Sequence, residues 1–296
     1  MPAFCRHNRF LANCPICSRE QAAAAPARAP GSRSARPASA RSGSGARRSA
    51  GVRTRKLARE AEDGYSSELV PGVKATADAE RLARALAAAA ARLEFPGPYE
   101  TLAIEPDLEQ ASWLAFLLAL TGPDAPALQA AVLAAQPSWA AGEEPGLDAA
   151  RTRAVSAYRA WAARAGSQEA AITGEAAWTP ERRFSRVFDR LALPGFGRSA
   201  RFELLAALGA AGLYPLQAAS LHLGGGDPTT VAAKRALVSG DVLLLERRAS
   251  ALAEAAGIPL AALDRGLAEW NAPGRGASPA EPEPPALPRV RAALGL

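Results

Sequence analysis

The chain has 296 residues, of which 49% are hydrophobic and 22% charged. That is enough for one sizeable hydrophobic core or two modest domains. No apolar run approaches the ~20 residues that a membrane-spanning helix needs, and no apolar segment follows the first ten residues as in a signal peptide. The net charge of +6 is unevenly distributed: residues 1–60 hold 13 Lys or Arg and two acids, and the rest holds 22 basic and 27 acidic residues. We therefore expect a cytoplasmic protein without a membrane segment. Its basic N-terminal segment is expected to bind a polyanion.

All three cysteines and one of the two histidines lie between positions 5 and 17. Cys5, His7, Cys14 and Cys17 form the pattern C-x-H-x6-C-x2-C. Thiolate and imidazole groups are zinc ligands, and four of them close a tetrahedral structural site. The pattern predicts a zinc-binding knuckle over residues 1–18 that holds one structural Zn2+. The alternative is a set of free thiols in a disordered leader.

Residues 19–64 are rich in Ala, Pro, Ser, Gly and Arg, and this composition predicts a disordered basic linker. Helical periodicity and capping residues then predict an all-α domain over residues 65–271, because no alternating strand pattern is present. The Pro-rich residues 272–296 are expected to form a loose tail. Helices are predicted at 76–93, from Asp107, from Pro123 to before Pro137, and at about 147–165, 180–193, 198–211, 214–222, 228–238, 241–256 and 259–270.

The segment Leu193–Ala200 reads LPGFGRSA and lies between two amphipathic helices. This form is typical of a helix-hairpin-helix, in which Gly195 and Gly197 let the backbone turn sharply and approach a surface closely. The second helix then begins with unpaired amides and a positive dipole end, which together bind anions. On DNA that anion is a backbone phosphate, so binding is largely independent of sequence. Phe196 is expected to pack into the core beneath the turn.

Six arginines and a single acid lie between positions 182 and 201. Arg182, Arg186 and Arg190 recur every four residues, so one helix face carries three cations. We predict that the hairpin and its neighbouring cations bind DNA phosphates. The phosphate ligands are expected to be Gly195, Gly197, Arg183, Arg186, Arg198, Arg201 and Arg235.

A glycine-rich loop, Gly224-Gly225-Gly226, leads to Asp227 and a helix that carries Lys234 and Arg235. Asp227 is either the N-cap of this helix or a general base at the mouth of the DNA-binding hairpin. Lys234 is either a surface cation or a group that stabilises developing negative charge. His222 is expected to be a partly buried histidine at a helix end, with an acid–base role as the alternative.

The helical body with its LPGFG hairpin and following Gly-Asp loop resembles the helix-hairpin-helix DNA glycosylase fold. Three segments are more similar to a related family, the alpha-glutamyl/putrescinyl thymine pyrophosphorylases or amino acid:DNA transferases, and in particular to clade 3 of that family. These segments are FCRHNRFLANCPICSRE, LPGFGRSARFELLAALG and DPTTVAAKRALVSGD. Glycosylases with lyase activity carry a lysine at the position of Ser199, and some carry a four-cysteine iron–sulfur cluster that this chain lacks.

The resemblance implies an enzyme of thymine hypermodification that acts on DNA in the nucleoid. In this family an amine or amino acid displaces pyrophosphate from a modified thymine, and the base is flipped out of the helix. Asp227 would take the proton of the amine, and Lys234, Arg235, Arg198 or Arg201 would stabilise the leaving pyrophosphate. Two alternatives remain: a monofunctional helix-hairpin-helix DNA glycosylase and a DNA-binding module without catalysis.

Overall fold

The computed structural model describes residues 61–94, 97–123, 125–143, 146–272 and 283–296. The predicted zinc knuckle with its four ligands lies outside the described residues, as does all of the predicted linker except residues 61–64. The described part of the chain is helical and contains no strand, as the all-α prediction requires. No helix in this part is both long enough and apolar enough to cross a membrane.

The helices follow one another with short connections. In chain order they are α1 Thr76–Glu94, the 3-10 helix η1 Gly97–Ile104, α2 Leu108–Thr121, α3 Pro126–Ala135, α4 Ala149–Ala165, α5 Gln168–Thr173, α6 Pro180–Arg190, α7 Arg198–Ala210, α8 Pro228–Leu237, α9 Val242–Ala256, α10 Leu260–Asn271 and α11 Leu287–Leu294.

Helix α2 is the centre of the fold, and every residue from Ala111 to Thr121 is buried. A helix that is apolar on all sides must be surrounded by other elements, and α2 packs against α3, α5, α7 and η1. Its Phe116 ring stacks on Tyr158 of α4 at a centroid distance of 3.8 Å and contacts Phe196 of the hairpin at 5.0 Å. The expected burial of Phe196 beneath the hairpin turn is thereby confirmed.

Short polar side chains begin several of the predicted helices in the way the sequence indicates. Asp107, Thr179, Asp227 and Asp241 each cap a helix by accepting a hydrogen bond from a first-turn amide. Such a bond satisfies one of the amides that a helix start leaves unpaired. At α1 the acceptor is instead Asp63, thirteen residues upstream, whose carboxylate receives the Thr76 amide at 2.9 Å.

The predicted helix at 214–222 is wrong, since these residues form an irregular loop. The loop's backbone groups are paired by side chains from other elements. The Glu246 carboxylate accepts the amides of Leu221 and Leu223, at 2.7 and 2.5 Å, and Arg183 donates to the carbonyl of Pro215. Because these partners satisfy the backbone, the segment does not need helical hydrogen bonds.

The C-terminal residues also differ from the expected loose tail. Helix α11 packs on α1 and α9, and it buries Leu287, Val290 and Leu294. The Pro-rich composition upstream concealed a short apolar stripe at i, i+3 and i+7, which is enough to dock one helix. The sequence analysis also missed η1 and α5, both of which are short.

Candidate functional site

The two hairpin glycines differ in what surrounds them. Gly195 has φ +78°, and a Cβ placed there would lie 2.8 Å from the carbonyl oxygen of Ala150 on α4. Gly197 is the N-cap of α7, with φ −69° and ψ 173°, and no atom would approach its Cβ within 4 Å. Both glycines are exposed. Gly195 therefore allows the turn to lie against α4, whereas Gly197 leaves the start of α7 uncovered.

The start of α7 has the geometry of an anion site. No side chain caps it, and the first amides of a helix have no acceptor within the helix. The helix dipole adds partial positive charge at the same end. An exposed, uncapped helix N-terminus that follows a glycine turn can receive a phosphate oxygen.

The predicted phosphate-binding arginines fall into two groups. Arg186 is exposed on α6, together with Arg182 and Arg190. Arg183 is buried and donates to the carbonyl oxygens of Thr173 at 2.8 Å and of Pro215 at 3.1 Å. Contrary to the prediction, Arg183 is directed into the protein and supports the loop at 215.

Arg198, also predicted to bind phosphate, is 8% exposed. Its guanidinium group forms an ion pair with Asp264 of α10 and lies 3.7 Å from Oδ1 of Asp227. It also donates to the carbonyl of Leu221. The structure therefore makes Arg198 the shared counter-ion of the buried Asp264 and the partly buried Asp227, and directs its guanidinium group away from an external phosphate.

Two further predicted phosphate ligands contact aromatic rings. Arg201 is half-buried, donates to the carbonyl of Phe188 at 3.1 Å, and holds its guanidinium carbon 4.3 Å from the centroid of that residue's ring. Arg235 pairs with Asp78 of α1 at 2.5 Å and lies 4.1 Å above the ring of Trp270. Arg235 thus fastens α8 to α1 and α10.

Asp227 caps α8, which confirms the structural alternative for this residue. Its Oδ1 accepts the amide of Thr230 at 3.3 Å, and its Oδ2 accepts the hydroxyl of the same residue at 2.5 Å. The catalytic alternative stays a prediction. Lys234 is exposed two turns further along α8, about 10 Å along the helix axis from Asp227, so the structure does not bring the two predicted catalytic groups together.

His222 is partly buried against phenylalanine rings, as expected, but it lies in the irregular loop and not at a helix end. Its ring stacks on Phe188 with a centroid distance of 4.2 Å, and its Nε2 lies 3.4 Å from the hydroxyl of Ser185. Burial lowers the pKa of His222, which favours the neutral ring.

A cleft of about 290 Å³ opens beside the start of α7. Its walls come from four helices: the end of α2, the first turns of α7 and α8, and one side of α10. Ser199 and Glu203 line it from α7, Thr229 from α8, and Asp264 and Arg265 from α10. The Ser199 hydroxyl is buried and has no hydrogen-bond partner among the described residues, so it is available to a bound molecule.

Asp264 is the functional candidate that the sequence analysis missed. It is 7% exposed, and desolvation raises its pKa to about 6 even though Arg198 opposes that shift. A signal was present: Leu260, Leu263, Asp264 and Leu267 follow the i, i+3, i+4, i+7 pattern of a buried stripe. A carboxylate on such a stripe requires a partner or a function.

Across the described ranges, no group of three or more His, Cys, Asp or Glu side chains is arranged to hold a metal ion. No protein-family model matches the chain, and no similar protein was found among curated sequences or solved structures.

Proposed function

We propose that the chain is a DNA base-modifying enzyme that grips the DNA backbone at the hairpin and receives a displaced base in the neighbouring cleft. The observation that carries this proposal is the position of the cleft. Ser199 and Ala200, in the first turn of α7, line its wall, directly after the exposed Gly197. An anion site for the backbone and a polar pocket for a base thus share one helix start.

The charge of the exposed surface supports binding to DNA. The uncapped start of α7 accepts one phosphate, and Arg182, Arg186 and Arg190 on α6 supply cations next to the hairpin. Contacts of this kind neutralise phosphates without reading bases, so affinity falls steeply with salt. The 13 basic residues within positions 1–60 add to the same attraction.

The cleft supports chemistry on a base. Its volume lies at the small end of the range of ligand pockets, ~300–1,000 Å³, and its wall holds a free hydroxyl and a buried carboxyl group. Such convergent polar groups in a cleft are typical of a reaction site. An extruded base would be shielded here from water.

The reaction that fits the resemblance of the sequence is transfer of an amine or amino acid. The amine nitrogen forms a bond to the methylene carbon on the thymine ring, and the C–O bond to pyrophosphate breaks, with its electron pair leaving on the pyrophosphate. A carboxylate takes the proton that the amine loses, and this help is worth about 10²–10⁴-fold. Arg265, a cation of the cleft wall that is paired with Glu203, stabilises the charge of the leaving group.

The N-terminal knuckle has a structural part in this proposal. Cys5, His7, Cys14 and Cys17 bind one Zn2+, which folds residues 1–18 as a further contact for DNA. Elemental analysis tests this directly: we expect about one zinc per chain in the natural sequence and close to none after Cys14→Ser with Cys17→Ser. Zinc content equal in the two proteins would remove the metal from the proposal.

The experiment for the activity uses duplex and single-stranded oligonucleotides that contain 5-(pyrophosphoryloxymethyl)uracil, incubated with putrescine or glutamate. Mass spectrometry of the nucleosides identifies the product. An amine adduct with release of pyrophosphate is the expected result. Release of free base would replace the proposal with a DNA glycosylase, and salt-sensitive DNA binding without any change to a base would leave a DNA-binding module.

A further inference from the structure

Two acids at or beside the cleft, Asp227 and Asp264, share Arg198, and their surroundings are not equivalent. Asp227 has both carboxylate oxygens bonded to Thr230 at the cap of α8, and it is not among the residues that line the cleft. Asp264 lines the cleft. Its Oδ1 touches Arg198 but makes no hydrogen bond of normal geometry with a described residue.

The groups around Asp264 have opposing effects on the pKa of its carboxyl group. Arg198 faces it from α7 and favours the ionised form, as does the Thr229 hydroxyl from α8. Burial and the negative charge of Glu203 on α7 favour the neutral form, and the pKa is raised to about 6. The Arg198 guanidinium also lies close to the Asp227 carboxylate, so it is the counter-ion of both acids. A carboxyl group with a pKa near working pH is suited to accept and return a proton.

We propose that Asp264 is the proton acceptor for the attacking nucleophile in the cleft, and that Asp227 is a positioning residue which holds the start of α8 and the Arg198 side chain. The inference rests on the proposed function. In the step, an N–H proton of the nucleophile passes to the carboxylate of Asp264 as the nitrogen forms its bond to the methylene carbon. The pair of electrons from the C–O bond leaves with pyrophosphate. The carboxylic acid then loses its proton to solvent.

The test is the pH dependence of the single-turnover rate on the oligonucleotide with 5-(pyrophosphoryloxymethyl)uracil and putrescine. The rate of the natural chain, divided by the concentration of unprotonated putrescine at each pH, should rise with pH and have a midpoint near pH 6. Asp264→Asn should lower the rate about 10²–10⁴-fold and abolish the rise. Asp227→Asn should keep the rise, because the proton acceptor is still present.

Two controls separate chemistry from folding. Glu254→Gln removes an exposed acid of α9 that lies outside the cleft, and it should leave rate and midpoint unchanged. Asp264→Asn leaves Arg198 with a single acidic partner, so its melting temperature and DNA affinity are measured alongside.

The outcomes distinguish this inference from the proposed function. A rate for Asp264→Asn within tenfold of the natural rate, with the rise retained, would overturn the assignment and leave the enzyme activity standing. If Asp227→Asn and not Asp264→Asn abolishes the rise, Asp227 is the proton acceptor. Absence of turnover by the natural chain with every amine would overturn the activity and the assignment together.

Discussion

Gly195→Ala should lower the stability of the fold, whereas Gly197→Ala should lower the affinity for DNA and leave the stability unchanged. At Gly195 an L-residue must adopt the left-handed backbone, at about 1–2 kcal/mol. Its Cβ would also lie 2.8 Å from the carbonyl oxygen of Ala150, a distance that forces α4 or the turn to move. Overpacking of this kind costs about 1–3 kcal/mol. Gly195→Ala should therefore lower the free energy of unfolding by roughly 2–5 kcal/mol.

Thermal unfolding followed by circular dichroism measures this loss. For a unit the size of residues 57–296, about 2–4 °C of melting temperature corresponds to each kcal/mol, so Gly195→Ala should melt roughly 10 °C earlier. Gly197→Ala is the matched control. Its φ of −69° suits alanine and no atom lies near its Cβ, so the melting temperature should stay within about 2 °C.

The same two variants test the placement of the DNA backbone. A methyl group at Gly197 projects into the open space before α7, where the phosphate is proposed to sit, so affinity for duplex DNA should fall although the fold is intact. Equal melting temperatures for the two variants would refute the reasoning about Gly195. Full DNA affinity in Gly197→Ala would refute the close approach of the backbone.

Three further predictions concern buried and exposed charges. The pKa of Asp264 is raised in the folded state, to about 6, so folding favours the neutral form of its carboxyl group. The stability that results is complete below pH 4 and is lost as the pH rises through 6. The free energy of unfolding of the natural chain, minus that of Asp264→Asn, should thus fall by on the order of 3 kcal/mol over this window in urea titrations; a constant difference would contradict the raised pKa. Arg186→Ala should lower the slope of log affinity against log salt by about one and leave the melting temperature unchanged. The buried Arg183→Ala should lower the melting temperature and leave the slope unchanged. Similar behaviour of the two variants would contradict their placement. Glu246→Ala removes the acceptor of two loop amides and should cost roughly 2–5 kcal/mol, with faster hydrogen exchange in the 214–223 loop; protection equal to that of the natural chain would show that the carboxylate does not hold it.

Helix starts were predictable because they depend on local chemistry. The carboxylates of Asp107 and Asp241 accept amides two or three residues away, and a short polar side chain before an apolar run encodes that bond directly. The loop at 214–222 was not predictable, because its backbone is satisfied by Glu246 and Arg183, which lie 25 and 32 positions from the groups they pair with. Local propensity contains no information about such partners.

The division of the arginines required the tertiary structure for the same reason. Arg183 and Arg186 look equivalent in sequence, yet a step of three residues rotates the side chain by about 60° around a helix, enough to bury one and expose the other. Arg198 follows the hairpin as a phosphate ligand would, and only the approach of α10 reveals that it neutralises Asp264.

The amino-acid sequence alone determined the helical class, most helix boundaries, the glycine turn and the concentration of positive charge before residue 61, since each depends on neighbours a few positions apart or on composition. The tertiary structure decided which cations remain exposed, that the last residues fold back as a helix, and that Asp264 rather than Asp227 lines the cleft. These features arise from packing between distant segments, which sets burial, and burial sets whether a charged group meets solvent, a counter-ion or a substrate.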